Sequence, residues 1–347
     1  MKKYQNNMFD FGILQKYVND DLITDIDSNS ITVYVTHQFK GTYLAEKLSE
    51  GYLKDLINKL CNADEINASF NYEQPILDGV IDGLRIHAEH DSFISSGDTL
   101  AIRKNPLKLV ITENNIKDTK YCTFGAFELL KVLAKANVSV MFGGEVGTGK
   151  TQLMKTFLSL TDESSNIVFI SDIDEMRMTQ LYPERNYRQC IINPIIDYTK
   201  ATKSILRDNP VYVCFQEVRD NAVDDLFLAL SSSARVCGTV HLKSALIMPQ
   251  RLMQLSNNKN DKHLLSTIHD YIQVCVVPYK TFKKGRMIRY IGEIAMFWND
   301  ENGVPRKKLV YEQRNNHIKT WELPDYFKEF FKKEKIEIDW SEKIEKI

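Results

Sequence analysis

The chain has 347 residues, 43% apolar and 26% charged, with a formal net charge of -1, so it can fill one large core or two medium ones. That balance leaves no global basic footprint for nucleic acid, and no run approaches the roughly 20 apolar residues of a membrane helix. Six scattered cysteines (Cys61, Cys122, Cys190, Cys214, Cys237, Cys275) with no CxxC pair suggest neither a zinc cage nor a disulfide framework, and they suit a reducing cytoplasm.

The amino terminus, Met1-Lys2-Lys3-Tyr4-Gln5-Asn6, lacks the apolar core of a secretory leader. Ile31 to Thr36 alternates as a strand should, and Leu53, Leu56, Ile57 and Leu60 then fall at helical spacing. Two further strands are expected: Gly79 to His87, containing Asp82-Gly83-Leu84-Arg85, and Thr99 to Arg103. Residues 1–104 therefore read as a small α+β domain. The run His87-Ala88-Glu89-His90-Asp91 reads as a strand entering a loop rather than a metal site. Asn105-Pro106 closes the region, because the residue before proline is pushed out of helix. Residues 105–120 read as a linker with apolar anchoring.

Thr123 is the expected N-cap of a helix carrying Phe127, Leu130, Leu133 and Ala134. Next comes an apolar strand, Val138 to Phe142, then Gly144-Glu145-Val146-Gly147-Thr148-Gly149-Lys150-Thr151, then a helix from Gln152. This is the phosphate-loop pattern in its strand–turn–helix context. Its glycines let successive N–H groups face phosphate oxygens, Lys150 supplies a mobile positive charge, and Thr151 offers a hydroxyl to Mg²⁺. The helix places its positive end under the phosphates. The residue pattern thus predicts a nucleoside triphosphate site running from Gly144 to Gln152.

Further apolar segments (Ile167–Ile170, Val211–Phe215, Val236–Val240, Tyr271–Val277) separated by helix-length stretches predict a mostly parallel sheet covered on both faces. Lys283-Lys284-Gly285 reads as a hairpin turn. Residues 121–300 form the expected α/β domain and 301–347 a C-terminal extension, with Lys328 to Ile347 read as a solvated helix. Val211–Phe215 runs into Gln216-Glu217-Val218-Arg219-Asp220. A carboxylate at the C-terminal end of a parallel strand sits where ligands bind, which makes Glu217 the candidate to orient water and complete the Mg²⁺ shell. Ile167–Ile170 leads likewise into Asp172-Ile173-Asp174-Glu175, and a third strand ends in Thr239-Val240-His241.

In order and spacing, Asp172 to Glu175, Leu206-Arg207-Asp208-Asn209-Pro210, Glu217 to Asp220 and Thr239-Val240-His241 resemble the type II/type IV secretion ATPases, traffic motors of secretion, pilus assembly and conjugation. Upstream, Asp82-Gly83-Leu84-Arg85 and Leu100-Ala101-Ile102-Arg103-Lys104 are similar to the family's N-domain strands in its tight-adherence-pilus and conjugation branch. The resemblance implies a RecA-like motor domain behind a mobile N-domain, in a cytoplasmic ring of six at the inner face of the membrane, working with membrane platform proteins. It also implies ATP and Mg²⁺, held by Lys150 and Thr151. It makes Glu175 the Asp-box glutamate, Glu217 the catalytic glutamate and a metal contact, His241 the His-box histidine, and Arg85 and Arg103 arginine fingers.

Three positions depart from the family. Gln216 stands where glycine usually precedes the catalytic glutamate, Ser231-Ser232-Ser233 replaces a Thr-Gly-His, and the tetracysteine zinc module is missing. The first two raise a second reading, a nucleotide-gated assembly module with little turnover. A DNA-translocating motor fits neither the net charge nor the Asp-box and His-box arrangement.

Overall fold

The computed structural model describes residues 9–219, 222–314 and 317–346; Met1–Asn6, read above for a leader, and Asp220 of the acidic motif lie outside the described residues. The chain divides into two compact units, one reaching to Pro106 and including Phe282–Ile288, the other formed by Leu107–Thr281 and Arg289–Ile347.

The first unit is an antiparallel sheet of β1 (Ile23–Asn29), β2 (Thr32–His37), β3 (Gly41–Lys47), β4 (Ile76–Ile81), β5 (Leu84–Glu89) and β6 (Thr99–Lys104), ordered β3-β2-β1-β6-β5-β4. One face is apolar: Ile26, Val33, Val35, Ile86 and Ile102 pack against Leu53, Leu56, Ile57 and Leu60 of the helix Tyr52–Cys61. The alternation is strict along β5, where Leu84, Ile86 and Ala88 point inward while Arg85, His87 and Glu89 face the other side. The single strand expected over Gly79–His87 is instead a hairpin. Asp82 and Gly83, at φ 49° and 75°, form the two-residue turn that matches strand twist.

The second unit is built on ten strands: β7 (Val140–Gly143), β8 (Ile167–Ser171), β9 (Tyr187–Ile191), β10 (Tyr212–Phe215), β11 (Arg235–Val240), β12 (Val274–Lys283), β13 (Arg286–Asn299), β14 (Pro305–Arg314), β15 (His317–Thr320) and β16 (Lys343–Lys346). Their order is β16-β15-β14-β13-β12-β7-β11-β10-β8-β9. From β12 through β9 all neighbours are parallel, and from β13 to β16 they are antiparallel. β7, β8 and β10 are buried on both faces, so they read as continuous apolar runs. Phe142, Tyr212 and Cys214 enter one core, while Met141, Val213 and Phe215 enter the other. β12 starts only at Val274, because Tyr271 closes the helix Leu264–Tyr271.

Within the stretch expected as a linker lies the one-turn helix Ile116–Thr119, and Ile111 and Ile116 are buried in the second unit's core. The Thr123 hydroxyl caps the helix Phe124–Lys135 by accepting from the Ala126 amide at 3.1 Å. The solvated helix expected over Lys328–Ile347 is corrected. A helix at Asp325–Lys333 buries Phe327 and Phe331, spaced to share one face, and the chain then returns as β16.

Candidate nucleotide-binding site

β7 delivers the phosphate loop, and Gly149 is the N-cap of the helix Lys150–Ser159 that follows it. Gly144, at φ 145°, could not carry a side chain: a Cβ there would lie 2.8 Å from the Thr148 hydroxyl and 3.1 Å from the Pro278 carbonyl. The Gly144 amide donates to the Val240 carbonyl at 3.2 Å, so the loop is tied to the end of β11. Lys150 is buried, and its ammonium donates to the carbonyls of Gly144 (3.0 Å) and Glu145 (3.1 Å). The Thr148 hydroxyl also donates to Glu145, at 2.9 Å.

Strand order assembles the rest of the site. β7, β11, β10 and β8 are consecutive in the sheet and parallel, so their C-terminal ends line one edge. The edge carries, in turn, the phosphate loop, His241, Gln216-Glu217 and Asp172 to Glu175. Lys150 Nζ lies 3.3 Å from His241 Nδ1, and His241 Nε2 lies 3.2 Å from Glu217 Oε1. An ammonium can only donate, so Nδ1 accepts and the ring proton sits on Nε2, facing the carboxylate. His241 and Glu217 remain open to solvent.

Gln216 joins the remaining parts. Its side-chain oxygen accepts from the Glu175 amide at 3.2 Å, its own amide donates to the Ile170 carbonyl at 3.3 Å, and its carbonyl accepts from the Thr239 hydroxyl at 2.5 Å. Arg219 adds an exposed bridge to Asp172 at 2.7 Å. Lys155, wholly buried on the phosphate-loop helix, is pushed down to about 8 first by burial and then by the Arg177 cation, against the pull of Asp174. Arg177 in turn donates its backbone N–H to the Asp174 carboxylate at 2.7 Å. The Asp-box loop is therefore linked electrostatically to the helix that begins at Lys150.

Arg85 and Arg103 belong to the first unit. They are direct partners across β5 and β6, on the face away from its core, and Arg103 bonds Asp25 at 2.9 Å. Two like charges standing opposite one another are unfavourable unless an anion shares them, as Asp25 does for Arg103.

Sequence reading missed Gln216 as a junction, Lys155, and the cations Lys280 and Arg289, whose side chains reach the carbonyls of Val146 (2.7 Å) and Gly147 (2.9 Å). A lysine within the buried run Leu153–Leu158 was the one local signal on offer. Lys280 and Arg289 are more than a hundred residues from the loop and gave none.

The donor set fits a nucleotide with Mg²⁺. The loop has no room for a side chain at Gly144, Lys150 offers a cation for phosphate, and the Thr151 hydroxyl and Glu217 carboxylate are hard oxygen donors of the kind Mg²⁺ takes. A family model described as type II/IV secretion system protein matches residues 92–302. An uncharacterised protein of Bacillus anthracis is 25% identical over 351 residues, covering 96% of this chain and 78% of that protein. One from Methanocaldococcus jannaschii is 27% identical over 166 residues, 46% of this chain and 58% of that protein. Among solved structures, the ATPase DotB of Yersinia pseudotuberculosis aligns with a TM-score of 0.59 at 13% identity, covering 81% of this chain and 76% of DotB. The pilus retraction motor PilT with bound ADP aligns at 0.56 and 16% identity, covering 80% and 81% of the two chains. These likenesses establish the fold, a RecA-like phosphate-loop domain preceded by a smaller α+β domain.

Proposed function

Because the chain belongs to the type II/IV secretion system protein family, we propose that it is an ATPase motor. It hydrolyses ATP in a ring of six copies and powers a secretion, pilus-assembly or conjugative-transfer machine from the inner face of the cytoplasmic membrane, against membrane platform proteins. Among the described residues, no helix is long and apolar enough to cross a membrane. The observation that carries the reading is the run Lys150–His241–Glu217, which puts an ammonium, an imidazole and an open carboxylate within two hydrogen-bond distances of one another.

Lys150 and the loop amides hold the outer phosphates, and Glu217 orients the attacking water and accepts its proton. His241, donating from Nε2, reports to Glu217 whether Lys150 is engaged. Thr151 and Glu217 would hold Mg²⁺, which when bound would supply charge neutralisation on the phosphates. Glu175 completes the acidic edge beside Glu217. Arg85 and Arg103 take the arginine-finger role, so their alanine variants keep nucleotide binding and lose turnover.

The test is ATP turnover and nucleotide binding by the purified chain, with its mass followed by light scattering in Mg²⁺ and a non-hydrolysable ATP analogue. Lys150→Ala loses tight binding. Glu217→Gln keeps binding and loses about a hundredfold or more in turnover, the scale of a missing general base. Wild-type turnover by Glu217→Gln would sink the catalytic assignment, and a monomer under all conditions would sink the ring.

A further inference from the structure

A phosphate loop works because its N–H groups point inward, and the same geometry turns the neighbouring carbonyls outward, where they too need partners. In this chain the four successive carbonyls from Gly144 to Gly147 all accept from a cation. Lys150 takes the first two, Lys280 takes Val146 at 2.7 Å, and Arg289 takes Gly147 at 2.9 Å. Lys280 and Arg289 lie outside the motif, on β12 and β13, equally far from the hairpin turn at Lys284 and Gly285. Both side chains lie against the loop: a Cβ at Gly147 would come within 3.2 Å of the Lys280 ammonium, and one at Gly149 within 3.8 Å of Arg289 Cδ.

We propose that Lys280 and Arg289 are positioning residues for the phosphate loop, holding its amides inward for a nucleoside polyphosphate by bonding the outward carbonyls of Val146 and Gly147. The proposal rests on the nucleotide-binding reading above. Lys150 must exchange its carbonyl bonds for phosphate oxygens when it engages a nucleotide. Lys280 and Arg289, bonded to other carbonyls than Lys150, can keep theirs, so the shape of the loop then depends on them. Charge-assisted bonds are the stronger kind, and a cradle fixed in advance does not have to be ordered by its ligand. The two positive charges also favour the approach of an anion. Lys280 is exposed and Arg289 half-buried, so Arg289 carries the larger share.

The experiment uses the full chain with Lys280→Ala, Arg289→Ala, the double variant, and Arg289→Lys as the conservative control. Two quantities are measured: the order parameter of the Val146 methyl groups in nucleotide-free protein, and the affinity for Mg²⁺-ADP. The double variant loosens Val146 and weakens ADP by about tenfold, as expected for two lost charge-assisted bonds. Arg289→Lys recovers at least half of the ADP loss, and the single Lys280→Ala, at an exposed site, remains interpretable if the double variant folds poorly. Unchanged order and affinity in the double variant overturn the proposal. Weakened ADP with an unchanged Val146 overturns it too, since the cations would then act only through their field. If the wild type binds no ADP, the nucleotide reading falls, and the order parameter alone decides whether Lys280 and Arg289 hold the loop.

Discussion

Glu293 of β13 is 2% exposed yet charged, and its replacement is the most searching test of how the His-box end is held. Its Oε1 accepts from the Tyr279 hydroxyl at 2.7 Å and from Arg314 at 2.8 Å, while Oε2 accepts from the Ser244 hydroxyl at 2.8 Å and the Ala245 amide at 2.7 Å. Burial alone would push the carboxyl up, but those four donors together hold it below the usual glutamate value. Glu293→Ala leaves the buried Ala245 amide without its acceptor and opens a cavity, so about 3–5 kcal/mol is expected, the range for breaking a buried pair. Glu293→Gln should cost less, about 1–2 kcal/mol. Its amide oxygen can stay on Ser244 and Ala245, and its NH₂ can donate to Tyr279, whose hydroxyl turns to the Lys243 carbonyl 3.1 Å away. Arg314 cannot turn acceptor, but it is more than half exposed and already pairs with Glu312 at 3.0 Å. The assay is urea unfolding at several pH values. A lowered carboxyl contributes stability that is present above the unfolded value of about 4.5 and is lost as pH falls through the folded one. The gap between wild type and Glu293→Gln should therefore close on acidification. Equal losses from Gln and Ala, or a gap that does not change with pH, would refute the four-donor account.

Two further expectations concern the linkage of the Asp box. Between about 8 and the ordinary lysine value of 10.5, the unfolded chain holds a proton that folded Lys155 has shed, so stability gains as pH rises. Measured against Lys155→Met by urea unfolding, that gain reaches at most ~1.4 kcal/mol per pH unit, and a flat difference would mean that Lys155 is not a buried ammonium. Gln216→Met keeps the side chain's length and removes the acceptor for the Glu175 amide; turnover should fall about tenfold with nucleotide affinity unchanged. In a Glu175→Gln background the same change should add little, because Gln216 acts on turnover only by placing the segment that carries the Glu175 carboxylate, which is then gone; additive losses would point to a general structural defect.

What could be read from the sequence depended on where each signal lay. β7, β8, β10 and β11 are buried on both faces and announce themselves as unbroken apolar runs. β1 and β3 sit in a sheet with one open face. Asp25, Asp27 and Asn29 on one, and the largely exposed Gly41–Lys47 on the other, supply too little apolar pattern to register as strands. Asp82-Gly83 carried a turn signal, but apolar residues on both sides absorbed it into one long strand. In the C-terminal region, the mixed Lys and Glu hid the spacing of Phe327 and Phe331.

The site divides in the same way. A phosphate loop is contiguous, so its chemistry is written in one stretch, whereas Lys280 and Arg289 reach it only through the sheet order that sets β12 beside β7. Gln216 shows that a departure from a motif can add a contact to a site. A glycine there, the residue the resembling family favours, has no side-chain acceptor for the Glu175 amide. Gln216 supplies one while its backbone keeps the bonds to Ile170 and Thr239 that any residue could make. The substitution thus adds a constraint between the two acidic segments without removing a donor or a charge from the phosphate side.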